Sequence, residues 1–154
     1  MKLSCDVIAA LQGKTLATAE SCTGGGIGAA LTAVPGSSKV YKGGIICYTN
    51  EIKIQHLGVS AEILSRAGAV SAEVAQAMAV GAKNTMNADI AISVTGLAGP
   101  SGDEFGNPVG TVYIGYADDN GCVSKRFLFD GDRESVRQQA IVAALKIVIN
   151  QLIK

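Results

Sequence analysis

A hydroxyl, a thiol and a run of glycines meet in residues 20–26, where Glu20-Ser21-Cys22-Thr23 leads into Gly24-Gly25-Gly26. Residues 15–19 before them read as a short apolar strand, and residues 25–33 after them as a small-residue helix. A strand-to-helix corner of this kind gathers backbone N–H groups that have no partner inside the helix and that carry its positive dipole end. Such a corner can bind an anion, or stabilise an oxyanion beside a nucleophile. The same residues also suit a plain serine or threonine N-cap with glycines for close packing. A nucleophilic Ser21 needs a base. His56, the only histidine, stands near an expected helix end, where a surface histidine is ordinary. Lys53 follows the strand end Tyr48-Thr49-Asn50 by a few residues, and that strand end should open toward the Ser21 corner. To act as a base, Lys53 must be held neutral by burial or a nearby cation; the alternative is a solvated helix lysine. Cys22 gains thiolate character at a helix N-terminus, yet without a histidine partner it reads as packing. Cys5, Cys47 and Cys122 lie in apolar runs and read as core.

A second glycine loop, residues 95–108, also follows an expected strand. Open α/β sheets bind ligands beyond the carboxyl ends of their strands, so two such loops near one switch point suit a phosphate or nucleotide. Gly24-x-Gly26-x-x-Ala29 has the spacing of a dinucleotide fingerprint but lacks the acidic residue about 20 positions on. No GxxxxGK[ST] loop is present. Arg133 and Arg137, four apart, share one face of the last helix, where cations oppose the dipole. They either pair with Asp130, Asp132 and Glu134 or form a fork for phosphate or carboxylate.

These groups must be positioned by the surrounding elements. Residues 3–12 read as a helix capped by Ser4 or Asp6 and stopped at Gly13. Residues 40–49 read as a strand with a bulge or close approach at Gly43-Gly44. Three helices follow, at residues 51–57 behind Asn50 as cap, 61–67 behind Ser60, and 72–86 behind Ser71. On the third, Val74, Met78 and Gly81 lie on one side. Residues 88–94 read as a buried strand, and 109–117 and 122–129 as a hairpin turning at Asp118-Asp119-Asn120-Gly121. A long helix from residue 133 presents Ile141, Leu145, Val148 and Leu152 on one face. The expected fold is a single three-layer-like α/β domain over residues 1–154, with a mixed sheet.

Bulk composition narrows the function. With 154 residues a real core is affordable, and 48% hydrophobic but only 5% aromatic residues suit small-residue helices packed on a sheet. Thirteen basic and thirteen acidic residues leave no net charge and no nucleic-acid footprint. Zero net charge also permits self-association, so a homodimer is expected. Four scattered cysteines and one histidine make no zinc constellation. No signal-peptide pattern or membrane span is seen. A reduced, cytoplasmic protein is the expectation.

Six motifs occur together and in order: AESCTGG at 19–25, YTNEIK at 48–53, GAVS at 68–71, TGLAGPSG at 95–102, PVGTV at 108–112 and GDRESVR at 131–137. Jointly they resemble the C-terminal domain of the competence/damage-inducible CinA proteins, a domain that also exists as a stand-alone nicotinamide-nucleotide amidase. The resemblance covers nearly the whole chain and implies the stand-alone form. It implies hydrolysis of nicotinamide mononucleotide to nicotinate mononucleotide and ammonia, by a serine–lysine arrangement with neither metal nor cofactor. By motif match Ser21 is the nucleophile and Lys53 its base, with Tyr48 assisting proton transfer or positioning the ring. Backbone N–H groups near Thr23 and Gly24 form the oxyanion site. Asn50, Thr95, Gly96 and Gly99 line the nucleotide pocket, and Arg133, with Arg137, contacts phosphate. The alternative is a nucleotide-binding or regulatory module that uses the same loops without chemistry. This chain departs from many relatives at Asn107, where they carry lysine before PVGTV.

Overall fold

Strand β1 (Leu16–Glu20) lies between β2 (Tyr41–Ile46) and β3 (Ile90–Gly96) and runs parallel to both. The computed structural model, which describes residues 1–154, continues the sheet antiparallel through β4 (Thr111–Asp118) and β5 (Gly121–Leu128), giving the order β2-β1-β3-β4-β5. Helices α1 (Lys2–Leu11), α2 (Gly26–Thr32) and α6 (Arg133–Leu152) pack on one face of the sheet; α3 (Asn50–Leu57), α4 (Ala61–Ala67) and α5 (Ala72–Thr85) pack on the other. This is the expected three-layer α/β domain with a mixed sheet. The period-2 alternation of a strand sorts the two cores. Leu16, Ile90, Ile92, Ile114 and Val112 face α1, α2 and α6, whereas Ala17, Ala19 and Ala91 face α3, α4 and α5.

The alanine- and glycine-rich composition serves the second core. Small side chains on that face let α5 approach the sheet, and at Gly115 a Cβ would overlap the carbonyl of Ala75. Gly81, expected on the buried side of α5 with Val74 and Met78, abuts the Leu57 carbonyl at the end of α3. The bulge expected in β2 is present: the register slips between Leu16↔Tyr41 and Ala17↔Gly43, and Gly43 has φ +142°.

Several local expectations are corrected. Helix α1 has Met1 at its N-cap position and no side-chain cap; Ser4 is buried within the helix and Asp6 bonds Lys2 instead. The cap of α3 is Thr49, whose Oγ1 accepts from the Ile52 N–H, so Asn50 begins the helix. Ser60 and Ser71 do cap α4 and α5, accepting from Ile63 and Val74. On α6 the buried seam runs through Val136, Ala140, Ala144, Leu145 and Val148, and Ile141 and Leu152 lie at its margins. Cys5 and Cys122 are exposed, contrary to the core reading: Cys5 falls on the solvent side of α1, and Cys122 stands at the start of the edge strand β5, its thiol donating to Gln76 Oε1 of α5; Cys22 and Cys47 are buried. No helix is long and apolar enough to cross a membrane.

Candidate active site

The three parallel strands all end at one edge of the sheet. From β1 the chain leaves through α2 on one face toward β2, then returns through α3, α4 and α5 on the other face to β3. The switch point between these two connections is the carboxyl end of β1, where Ser21 stands. A cleft of about 400 Å³ opens there. Its walls include Ser21, Cys22, Tyr48, Asn50, Lys53 and Arg133, with Thr95, Gly96 and Gly99 from the loop after β3. The topology thus gathers most of the residues singled out in the sequence.

Lys53 is 1% exposed, although it belongs to a helix whose other side faces solvent. Its Nζ donates to the Cys47 carbonyl at 2.8 Å and lies 3.3 Å from Ser21 Oγ, within hydrogen-bond reach. None of the chain's ion pairs involves it. Burial without a carboxylate disfavours the ammonium form and holds the Lys53 pKa below the ordinary lysine range. Cys47 ties this arrangement to the sheet, since its N–H bonds the Glu20 carbonyl at 2.9 Å. The thiol of Cys22, despite its place at the corner, is pushed up to about 11 by burial and stays protonated.

The corner itself differs from the expected open helix N-terminus. Helix α2 has Gly25 at its N-cap position, with φ +101° and no side-chain cap of its own. The buried Glu20 carboxylate fills that place, accepting from the Ile27 N–H at 2.8 Å, the Gly28 N–H at 3.0 Å and Thr23 Oγ1 at 2.6 Å. The α2 terminus is therefore already occupied by an anion of the chain's own. Glu20→Ala is expected to cost about 2–3 kcal/mol of stability by stranding these donors, read as a lower urea midpoint at unchanged m-value.

Gly24 is also redirected, because its N–H is spent on the Ser21 carbonyl at 3.1 Å. The N–H groups of Cys22 and Thr23 reach no oxygen acceptor within the chain. Neither arginine of α6 pairs with Asp130, Asp132 or Glu134; Asp132 instead caps α6 through the Ser135 N–H at 2.9 Å. The two arginines part company. Arg133 stands at the cleft, bridging the Gly99 carbonyl at 2.6 Å and Tyr48 Oη at 3.1 Å. Arg137 lies behind the corner, bonded to the carbonyls of Cys22 at 3.0 Å and Thr23 at 3.2 Å, and is not part of the cleft. Tyr48 is 60% exposed on the rim, and its hydroxyl bonds neither Ser21 nor Lys53.

Asn107 does not line the cleft. Its Nδ2 bonds Asp103 Oδ2 at 2.8 Å and the Val70 carbonyl at 3.2 Å, clasping the loop of residues 103–107 to a cleft wall. That wall, Ala69 and Val70, belongs to the GAVS motif, of which the sequence marks only Ser71, as a helix cap. Thr95 Oγ1 bonds the Ala69 carbonyl at 2.8 Å, so the two walls brace each other. Glu20 also went unassigned; its position seven residues before Ile27, the first turn of a helix without a side-chain cap, was the available signal.

The sequence pattern of the CinA C-terminal domain matches residues 2–152. A CinA-like protein of Thermosynechococcus vestitus is 50% identical over 143 residues, 91% of this chain and 34% of that protein. One from Geobacter sp. is 54% identical over 125 residues, 81% of this chain and 30% of its own length. The chain therefore spans about a third of the length of these curated relatives. Among solved structures, a CinA superfamily protein from Klebsiella pneumoniae superposes with a TM-score of 0.96 at 38% identity, covering 99% of this chain and 96% of that one. The competence/damage-inducible protein CihA from Agrobacterium tumefaciens superposes with a TM-score of 0.93 at 38% identity, covering 99% and 94%. Pattern, relatives and fold agree over nearly every residue, and this chain belongs to the CinA C-terminal domain family.

Proposed function

We propose that the cleft hydrolyses the carboxamide of nicotinamide mononucleotide, releasing ammonia and nicotinate mononucleotide. The observation that carries this reading is a buried lysine without a carboxylate partner, 3.3 Å from a serine hydroxyl at the end of β1. A purely structural lysine is seldom buried this way, because desolvating its charge is costly and no carboxylate here pairs with it. Neutral Lys53 accepts the Ser21 proton as Oγ attacks the amide carbon. The tetrahedral oxyanion is received by the free N–H group of Cys22, which lines the cleft beside Ser21. Lys53 returns the proton to the leaving nitrogen, and ammonia departs. Water, activated by Lys53, then cleaves the acyl–Ser21 ester by the same route.

Arg133 gives the cleft an uncompensated cation at its rim, where it meets an anionic phosphate, and Tyr48 offers a ring face to the pyridine. Arg133→Ala is expected to raise KM for nicotinamide mononucleotide about 10- to 100-fold with kcat little changed. The nucleoside without phosphate should show no such penalty, so an equal loss on both substrates would remove the phosphate role. The reading as a whole is tested by ammonia release from nicotinamide mononucleotide by the purified protein, with and without chelator. Chelator-resistant release is expected. Nucleotide binding without release would reduce the site to a binding module.

A further inference from the structure

The geometry points to Arg137 as the positioning residue of the oxyanion site. The inference rests on the amidase reading of Ser21 and Lys53. Its observations are the two bonds from the Arg137 guanidinium to the Cys22 and Thr23 carbonyls and the bond from the Gly24 N–H to the Ser21 carbonyl. In a planar trans peptide the C=O and the next residue's N–H point in opposite directions. Fixing the Cys22 carbonyl therefore fixes the Thr23 N–H, directed away from Arg137. Fixing the Thr23 carbonyl fixes the Gly24 N–H, which holds the Ser21 carbonyl and so orients the Cys22 N–H. Three successive peptides are locked in this way, and the two N–H groups left without an acceptor are those next to the nucleophile. A guanidinium suits the task because its fork engages two carbonyls in fixed geometry, which a lysine ammonium does not reproduce.

Arg137 is half-buried and forms no ion pair. It stands opposite Glu20: the carboxylate takes the corner's donors on the helix side, and the guanidinium takes its acceptors. With both ends of the corner satisfied by the chain, the Cys22 N–H at the cleft wall is already held for the oxyanion before the reaction begins.

The test compares wild type, Arg137→Ala and Arg137→Lys. Ammonia release is measured against substrate concentration and pH, and the rate at which a fluorophosphonate labels Ser21 is measured alongside. In Arg137→Ala, kcat should fall about 10- to 100-fold, approaching the loss of one oxyanion donor. KM should stay within about threefold and the acid limb of the pH profile should not move, since substrate binding and Lys53 are untouched. Arg137→Lys, reaching one carbonyl, should recover part of the rate. Labelling should slow in parallel, because the phosphonyl oxygen uses the same Cys22 N–H. A raised KM with unchanged kcat would make Arg137 a substrate contact and overturn the inference, as would unchanged labelling. If wild type labels but releases no ammonia, the amidase reading fails, and slower labelling of the variants still upholds the positioning role. Wild type that neither labels nor releases ammonia overturns both. Should Arg137→Ala not fold, Arg137→Lys decides on the same criteria.

Discussion

Ser21→Ala is expected to reduce ammonia release from nicotinamide mononucleotide by about 10⁴- to 10⁶-fold, the scale seen when a serine nucleophile is removed. The change deletes one atom. The Ser21 N–H that bonds the Val94 carbonyl at 3.0 Å remains, as does the carbonyl that receives Gly24, so the corner keeps its shape. The cleft loses only the hydroxyl that Lys53 reaches. Binding of the mononucleotide should persist, read as thermal stabilisation by ligand. Full turnover by Ser21→Ala would show that water attacks the amide directly and would sink the covalent route.

Lys53→Met should lose activity on a similar scale, at least about 10³-fold, since it removes the group that moves both protons. Met matches the length of the buried stem and carries no charge, so the loss is chemical and the fold is retained. Two pH dependences follow from the lowered Lys53 pKa. In wild type, kcat/KM should rise with pH as Lys53 deprotonates and fall about tenfold per unit below that pKa. Stability should also rise with pH between the folded pKa and the ordinary lysine value, because the unfolded chain binds the extra proton throughout that window. Lys53→Met should abolish both slopes. A variant that keeps the acid limb of the rate profile would assign that titration to another group, and normal turnover would remove Lys53 as the base.

The two arginines show how far a pattern carries. Their spacing of four put them on one face of α6, and the sequence left ion pairing and anion binding equally open. The structure separates them by a single helical turn, with Arg133 on the cleft and Arg137 behind the corner. Spacing defines a face of a helix; it does not say where along the axis the face leaves one neighbour for another. Glu20 illustrates the same limit. Its carboxylate acts seven residues away in sequence, outside the usual cap positions, because the glycine corner folds the chain back over it.

What the sequence determined by itself is what depends on local chemistry and order. Alternating and helical periodicities marked the strands and helices, glycine and serine marked most turns and caps, and the ordered motifs placed the chain in its family. The sequence also named Ser21, Lys53, Tyr48 and the loop after β3 as a set. Only the tertiary structure decided that Lys53 is buried without a carboxylate, that Glu20 closes the α2 terminus, and that Arg137 holds the Cys22 and Thr23 carbonyls behind the corner. Burial and hydrogen-bond partnership are properties of how layers meet, and residues 32 or 115 positions apart are brought together only when the sheet and both helix layers assemble.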